Sequence, residues 1–455
     1  MASGPAATNI TPVLGGLRIF AAVGAVVFGG VFAPPPTSAD LLGHGGMVRA
    51  VDFSADGRRL VTGSFDFSAI VWNFDDQRAL ATLDGHAGPV TSVAFLPDGR
   101  VLTTSDDWKA FIWDVSRPEP KIVHRLEGHK HKIMSAAVSA DGKRVVTGGW
   151  DKAVKVWDSQ TGKQLRSISV SSPVNSVAMV GPAGRVIAVG GHDRLVRLLD
   201  SQTGRSLGAL SGHKMGITQL TASADGKHLL SASIDKSVRL WDVGSQKLIR
   251  ILEHHESQVF GVRFLPDGKS AVSTGRDGFI LIWDLDTGEV RRAIKAHDVI
   301  SWSVAVSPDG RFAVSVGSDE TARIWHMETG DRIGTVAEAN NEPKPWLQSN
   351  HPGAKLYSKC ARCHALKPGG VRRSGPHFEG LFGRPVGTVA GYRYSDALKG
   401  RNFSWNKETL FRLFDEGPDK FLPGTKMPVQ RVSNPEKLAE LVDYLGQLTG
   451  ATTGK

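Results

Sequence analysis

The chain is expected to be multidomain: a large all-β domain assembled from seven copies of one unit, then a smaller all-α lobe. Three observations predict this. Trp72, Trp113, Trp157, Trp241, Trp283 and Trp325 stand in matching contexts, with Leu199 filling the one gap, at successive intervals of 41, 44, 42, 42, 42 and 42 residues. The short runs between these marks, such as Val51-Asp52-Phe53 and Val262-Arg263-Phe264, alternate as half-buried strands do. Past residue 350 the pattern turns helical, and the chain's only two cysteines occur there. At 455 residues the chain also exceeds what one hydrophobic core supports. Apolar content of 40% and charged content of 22% exclude a disordered chain.

Residues 1–39 read as a leader. Arg18 precedes an uncharged run from Ile19 to Ala33, followed by Pro34-Pro35-Pro36 and Thr37-Ser38-Ala39. A positive charge, a short apolar stretch and a small-residue exit fit a signal peptide cleaved after Ala39; retained, the same run would serve as a membrane anchor. In both cases Arg18 stays inside and the remainder is exported.

The repeat domain spans residues 40–337. Six residues before each mark is an Asp: Asp66, Asp107, Asp151, Asp193, Asp235, Asp277 and Asp319. Ten residues before each tryptophan is a hydroxyl (Thr62, Thr103, Thr147, Ser231, Ser273, Ser315). At 27 or 28 residues is a histidine (His44, His86, His129, His213, His255, His297). Asp-Gly pairs such as Asp56-Gly57 and Asp98-Gly99 recur where tight hairpins are needed. The pattern resembles the WD-repeat family, whose unit is a four-stranded propeller blade. The resemblance implies a seven-bladed propeller in which indole, hydroxyl, imidazole and carboxylate form a buried chain. In unit four Ser171, Val189 and Leu199 replace three members together and Asp193 is left alone; joint loss is expected, because a half-satisfied network costs more than an apolar one. Glu328 to Val336 reads as the outer strand of blade seven, so that blade should not borrow the amino terminus. The repeated His and Asp are structural. On the family's partner-facing rim the positions are Phe65, Asp106, Trp150, His192, Ile234, Arg276 and Ser318, of which Trp150 and Arg276 suit a protein partner.

Residues 338–352 form a short linker with Trp346 near its end. The lobe at 353–448, with a tail at 449–455, opens on Cys360-Ala361-Arg362-Cys363-His364. C-x-x-C-H is the attachment signature of a c-type haem, with two thioethers and an adjacent histidine for the iron. No second cysteine pair completes a zinc site, and with both cysteines committed to haem no disulfide is expected. Gly375-Pro376, Gly380-Leu381-Phe382-Gly383-Arg384, Tyr394, Trp405 and Pro423-Gly424-Thr425-Lys426-Met427-Pro428 follow in order. With helical patterns at both ends, these motifs resemble mitochondrial-type, class I cytochrome c over about a hundred residues. The resemblance implies one covalent haem c attached through Cys360 and Cys363, with iron held by His364 and Met427. It implies that the Pro376 carbonyl fixes the His364 tautomer. Arg384, Tyr394 and Trp405 would reach the propionates, and Thr425 would steady the ligand loop. His351 and His377 are the rival ligands. Leu413 and Phe414 stand where the family often has a tyrosine near the methionine sulfur.

Charge is uneven. Residues 351–455 hold 17 Lys and Arg against 9 Asp and Glu, most of the chain's +10. In an exported haem lobe this suits docking to an acidic redox partner, not nucleic acid, with Lys359, Lys367 and Lys426 as docking lysines. The expected function is a periplasmic single-electron carrier, not itself an enzyme, whose propeller docks a protein. Membrane contact is expected only if the leader is retained. The alternatives are the electron-accepting part of a propeller oxidoreductase, or a haem-bearing adaptor. Quinone-cofactor dehydrogenases and cytochrome-first nitrite reductases are similar to this chain only in combining a propeller with a cytochrome.

Overall fold

The structure, a computed structural model, describes residues 40–181, 183–333, 345–361, 364–368, 375–392, 394–395, 398–425, 427 and 431–450. The predicted leader and its cleavage site, Cys363, Lys426 and most of the linker and tail lie outside the described residues, as does the Lys359 side chain.

Seven four-stranded antiparallel sheets follow one another, each with its strands in chain order. In blade one they are Val48–Phe53, Arg59–Ser64, Ser68–Asn73 and Ala79–Asp84. The first strands of neighbouring blades lie side by side around the axis, so each blade buries both faces against its neighbours. Register repeats too: Trp72 faces Leu60, Trp113 faces Val101, Trp241 faces Leu229, and in blade four Leu199 faces Ile187 at the same place. The repeat therefore specifies pairing even where the tryptophan is lost.

Ring closure departs from expectation. Blade seven does take an outer strand from its own repeat, in which Arg332 and Ile333, the last described residues of that segment, pair with Trp325 and Ile324. Leu41 then continues the same edge by bridging to Ala322, with its N–H donating to the Ala322 carbonyl at 3.1 Å. Asp40 receives the Arg332 guanidinium and lies 3.8 Å from Arg323. Among the described residues this edge thus meets both its own repeat and the amino-terminal segment, which was expected to stay apart.

The carboxyl-terminal lobe contains helices α1 (Pro352–Cys360), α2 (Lys407–Asp415), α3 (Pro418–Phe421) and α4 (Pro435–Leu448), and an isolated bridge between Pro385 and Ser404. Each long helix starts on a side-chain cap: His351 for α1, Asn406 with Thr409 for α2 and Asn434 for α4. Pro352 and Pro435 supply helical φ in the first turn. Ala354, Tyr357 and Cys360 on one face of α1 share a core with Leu438, Leu441, Val442 and Leu445 of α4. Their crossing needs Gly353, because a Cβ there would lie 2.1 Å from the Glu440 carbonyl oxygen. Trp346 packs on this core, edge-on to Tyr357 at 5.3 Å. Among the described residues no helix is long and apolar enough to cross a membrane.

Candidate functional site

The His, Asp and hydroxyl sets of the propeller meet as structural chains. In blade two His86 Nδ1 lies 2.9 Å from Asp107, His86 Nε2 lies 2.8 Å from Thr103 Oγ1, and the Trp113 indole N–H donates to that hydroxyl at 2.8 Å. Carboxylate accepts only, so Nδ1 donates to it, and the Thr103 hydroxyl links Nε2 to the indole. Five other blades repeat this within 0.1 Å or so, and every histidine involved is buried. Desolvation disfavours the Asp66 carboxylate. The facing His44 ring, Ser68 and the Gly45 amide outweigh that and hold its pKa down to about 2. In blade four Asp193 is not alone: Arg197 donates to it at 2.5 Å and to Ser171 at 2.7 Å, so a guanidinium replaces the imidazole. The histidines and hydroxyls of the six complete chains are committed to these structural contacts, whereas one buried oxygen of Asp193 is left unpaired.

On the same end of the propeller, rings from neighbouring blades touch in sequence. Trp108 meets His131 at 6.3 Å, His131 meets Trp150 at 5.9 Å, and Trp150 meets His192 at 5.4 Å. The Lys132 ammonium sits 5.3 Å from the Trp150 ring and pairs with Asp106 at 2.8 Å. Arg276 is exposed elsewhere on this end, and Ser318 accepts the Trp302 indole N–H at 2.9 Å.

The lobe holds one large cleft, about 1140 Å³ of atom-free space partly open to solvent. Cys360, His364, Pro376, Arg384, Tyr394, Trp405, Thr425 and Met427 all line it, brought together from α1, from the segments between helices and from the loop after α3. His351 and His377 are not among its lining residues. His351 is spent as the α1 cap and stacks on Tyr444 at 5.0 Å. His364 is fixed on three sides. Its Nδ1 donates to the Pro376 carbonyl at 2.7 Å, it stacks on Phe378 at 4.5 Å, and it lies against Gly375, where any Cβ would come within 2.3 Å of the ring. Burial pushes the imidazole pKa down to about 4; the Pro376 hydrogen bond opposes this and the nearby Arg384 charge adds to it. The ring is therefore neutral at ordinary pH, with Nε2 available as a ligand.

Around the cleft, Thr425 Oγ1 accepts the Met427 N–H at 3.2 Å. Arg384 donates to the carbonyls of Glu379 and His377, both at 2.8 Å, and Tyr394 Oη accepts the Val389 N–H at 3.2 Å. Leu413 and Phe414 line the wall, so no hydroxyl stands there. Among the lining residues to which the sequence assigned no role, four stand out. Phe378 stacks on the histidine, and Ser395 presents a buried Oγ with no hydrogen-bond partner. Phe65 and Phe67 come from blade one, where the rim position of Phe65 was the only hint.

A neutral imidazole and a thioether in one apolar cleft, beside a buried cysteine and an unsatisfied hydroxyl, fit a haem: two soft axial donors, a thioether anchor and a polar group for a propionate. The pattern of a WD domain, G-beta repeat, matches this chain at residues 36–73, 77–114, 120–158, 162–200, 204–242, 246–284 and 288–326, together more than half of its length. Over 98 residues, 21% of the chain, it is 45% identical to cytochrome c of Cochliobolus lunatus, covering 90% of that protein. It is also 41% identical to cytochrome c of Ginkgo biloba and 43% identical to that of Arabidopsis thaliana, covering 86% and 87% of them. The chain thus belongs to the WD-repeat family and, through its carboxyl-terminal lobe, to the cytochrome c family.

Proposed function

We propose that this protein is an exported, class I cytochrome c-type electron carrier with a single covalent haem, joined to a propeller that docks a protein partner. The observation that carries this reading is the shared cleft of Cys360, His364 and Met427. Bound there, haem would supply a one-electron ferric/ferrous couple, and imidazole–thioether ligation favours the ferrous state and a raised potential.

The chain's own residues supply the rest. Cys360 and Cys363 would hold the porphyrin. The Pro376 carbonyl keeps the His364 proton on Nδ1 and so aims Nε2 at the metal position. Thr425 ties down the Met427 backbone. Arg384, Tyr394, Trp405 and Ser395 face the polar end, and the apolar wall excludes water. With both His364 and Met427 given to the iron, no place would remain there for a substrate, which favours carriage over catalysis.

An acidic redox partner suits the basic surface of the lobe, where Lys367 is exposed. The propeller rim adds exposed Lys130, Lys152, Arg194, Lys214 and Lys236 around the Trp108–Trp150 ring chain, which supports a further protein partner there. Export to the periplasm is supported by the apolar run from Ile19 to Ala33 after Arg18, and by the thioether chemistry of C-x-x-C-H.

The purified full chain should show one low-spin haem that survives acid acetone, with a weak far-red methionine–iron band. Met427→Ala should abolish that band and let cyanide or imidazole bind. Retention of the band, or extraction of the pigment, would overturn the assignment.

A further inference from the structure

Two phenylalanines of the propeller line the cleft that holds His364 and Met427. They flank Asp66 in the turn between the second and third strands of blade one, and Phe67 stands there at φ 71°. That backbone conformation is shared by the sibling turns: Trp108 (φ 69°), Lys152 (φ 60°), Arg194 (φ 69°), Lys236 (φ 75°) and Gly278 (φ 75°). The environment is not shared. Trp108 is 50% exposed, and Lys152, Arg194 and Lys236 face solvent, whereas Phe67 is only 9% exposed. The turn itself therefore does not bury Phe67. Its covering comes from the other lining residues of the cleft, all of which belong to the helical lobe.

A β hairpin tip also gains nothing locally from two large apolar side chains around its Asp. Placing an aromatic residue in the left-handed region costs backbone energy, since asparagine or glycine is the usual choice. In blades three to five the corresponding residue after the Asp is charged, as a solvated tip should be. The departure in blade one coincides with the one tip that meets the cleft.

We propose that Phe65 and Phe67 are an apolar cap on the mouth of the haem cleft, supplied by the propeller to keep water and outside reductants from the iron. This rests on the reading of the cleft as a haem site. The cap works through dielectric and access. Two rings that displace water at the mouth disfavour the ferric state, which carries one more positive charge, and so raise the potential. They also lengthen the path of any external donor. The occupant of the blade-one tip is thus this chain's own cytochrome lobe. The basic, aromatic sector of blades two to five stays open for another protein.

The test uses the full haem-loaded chain. Phe65→Ser with Phe67→Gly grafts residues that blades seven and six already carry in the same turn, Ser318 and Gly278, so the propeller fold is retained. Phe67→Trp reproduces the residue of blade two, and Trp108→Gly serves as a matched change on a tip outside the cleft. Stopped-flow reduction by ascorbate, which gives one electron per ferric iron, and the midpoint potential are read for each. The double variant should be reduced several-fold faster and at a lower potential, while Phe67→Trp and Trp108→Gly should match the parent. Equal rates and potentials in all four, or the same shift with Trp108→Gly, would overturn the cap. A preparation with no haem absorbance would instead overturn the haem reading on which the cap rests.

Discussion

In each of six blades a carboxylate, a buried imidazole, a hydroxyl and an indole share one chain of hydrogen bonds, and removing charge from its end has a defined pH signature. The carboxyls of Asp66, Asp107, Asp151, Asp235, Asp277 and Asp319 are all held below their usual value against the opposing effect of burial, each by its histidine, helped by backbone amides in the first five and by Arg323 and Thr321 at Asp319. A group whose folded pKa is depressed stabilises the fold above its unfolded pKa. That contribution is lost as pH falls through the folded value. For Asp66, lowered from 3.8 to about 2, the window runs from pH 4 down to 2 and the contribution is about 2 kcal/mol. Urea midpoints followed by tryptophan fluorescence should be flat above pH 4 and drop steeply below it; a steady decline from pH 7 would contradict the account. Blade four should contribute through a different pair. Arg197 was visible in the sequence, but its service to Asp193 was not. Only the hairpin shows that the residue four positions after this Asp returns beneath it, as Arg323 also does beneath Asp319 at 2.7 Å.

Helices α1 and α4 meet where one glycine lets two backbones touch. Gly353→Ala would force a methyl group into the Glu440 carbonyl and the Tyr444 side chain, at 2.1 and 2.9 Å. Overpacking of this kind costs about 1–3 kcal/mol. The lobe should therefore melt at lower temperature, while the propeller transition stays in place. Differential scanning calorimetry reads both, and an unchanged lobe transition would refute the close crossing. The apolar spacing of α4 was legible in Leu438, Leu441, Val442 and Leu445. The requirement for Gly353 was not, because a contact between residues nearly ninety positions apart leaves no local trace.

Among the described residues, the outer edge of blade seven joins the outer-strand pair Arg332–Ile333, a bridge from Leu41, and the ion pairs of Asp40 with Arg332 and Arg323. Asp40→Ala takes the carboxylate from the half-buried Arg332 guanidinium, while Arg323 keeps Asp319; breaking such a partly buried pair costs about 1–3 kcal/mol. The expected result is a lower propeller melting temperature and faster hydrogen exchange in blade seven ahead of the others. Uniform exchange across the blades would show that closure does not depend on this residue. Sequence reasoning gave this edge to the repeat's own strand and did not foresee the Leu41 bridge, because a repeat pattern places strands within a unit and leaves no mark on contacts between the chain's distant segments.

The periodic Trp, Asp and His positions, the Asp-Gly turns and the C-x-x-C-H run by themselves determined seven sheets, their internal register and a haem-binding lobe. Each of these rests on spacing along the chain, which a sequence states directly. What only the tertiary structure decided is where distant segments meet. Arg197 takes the place of a missing histidine, Leu41 bridges to a strand nearly three hundred residues away, and two phenylalanines of blade one reach a cleft built by the other end of the chain. Those contacts depend on how finished surfaces pack, and burial of apolar area is blind to sequence order.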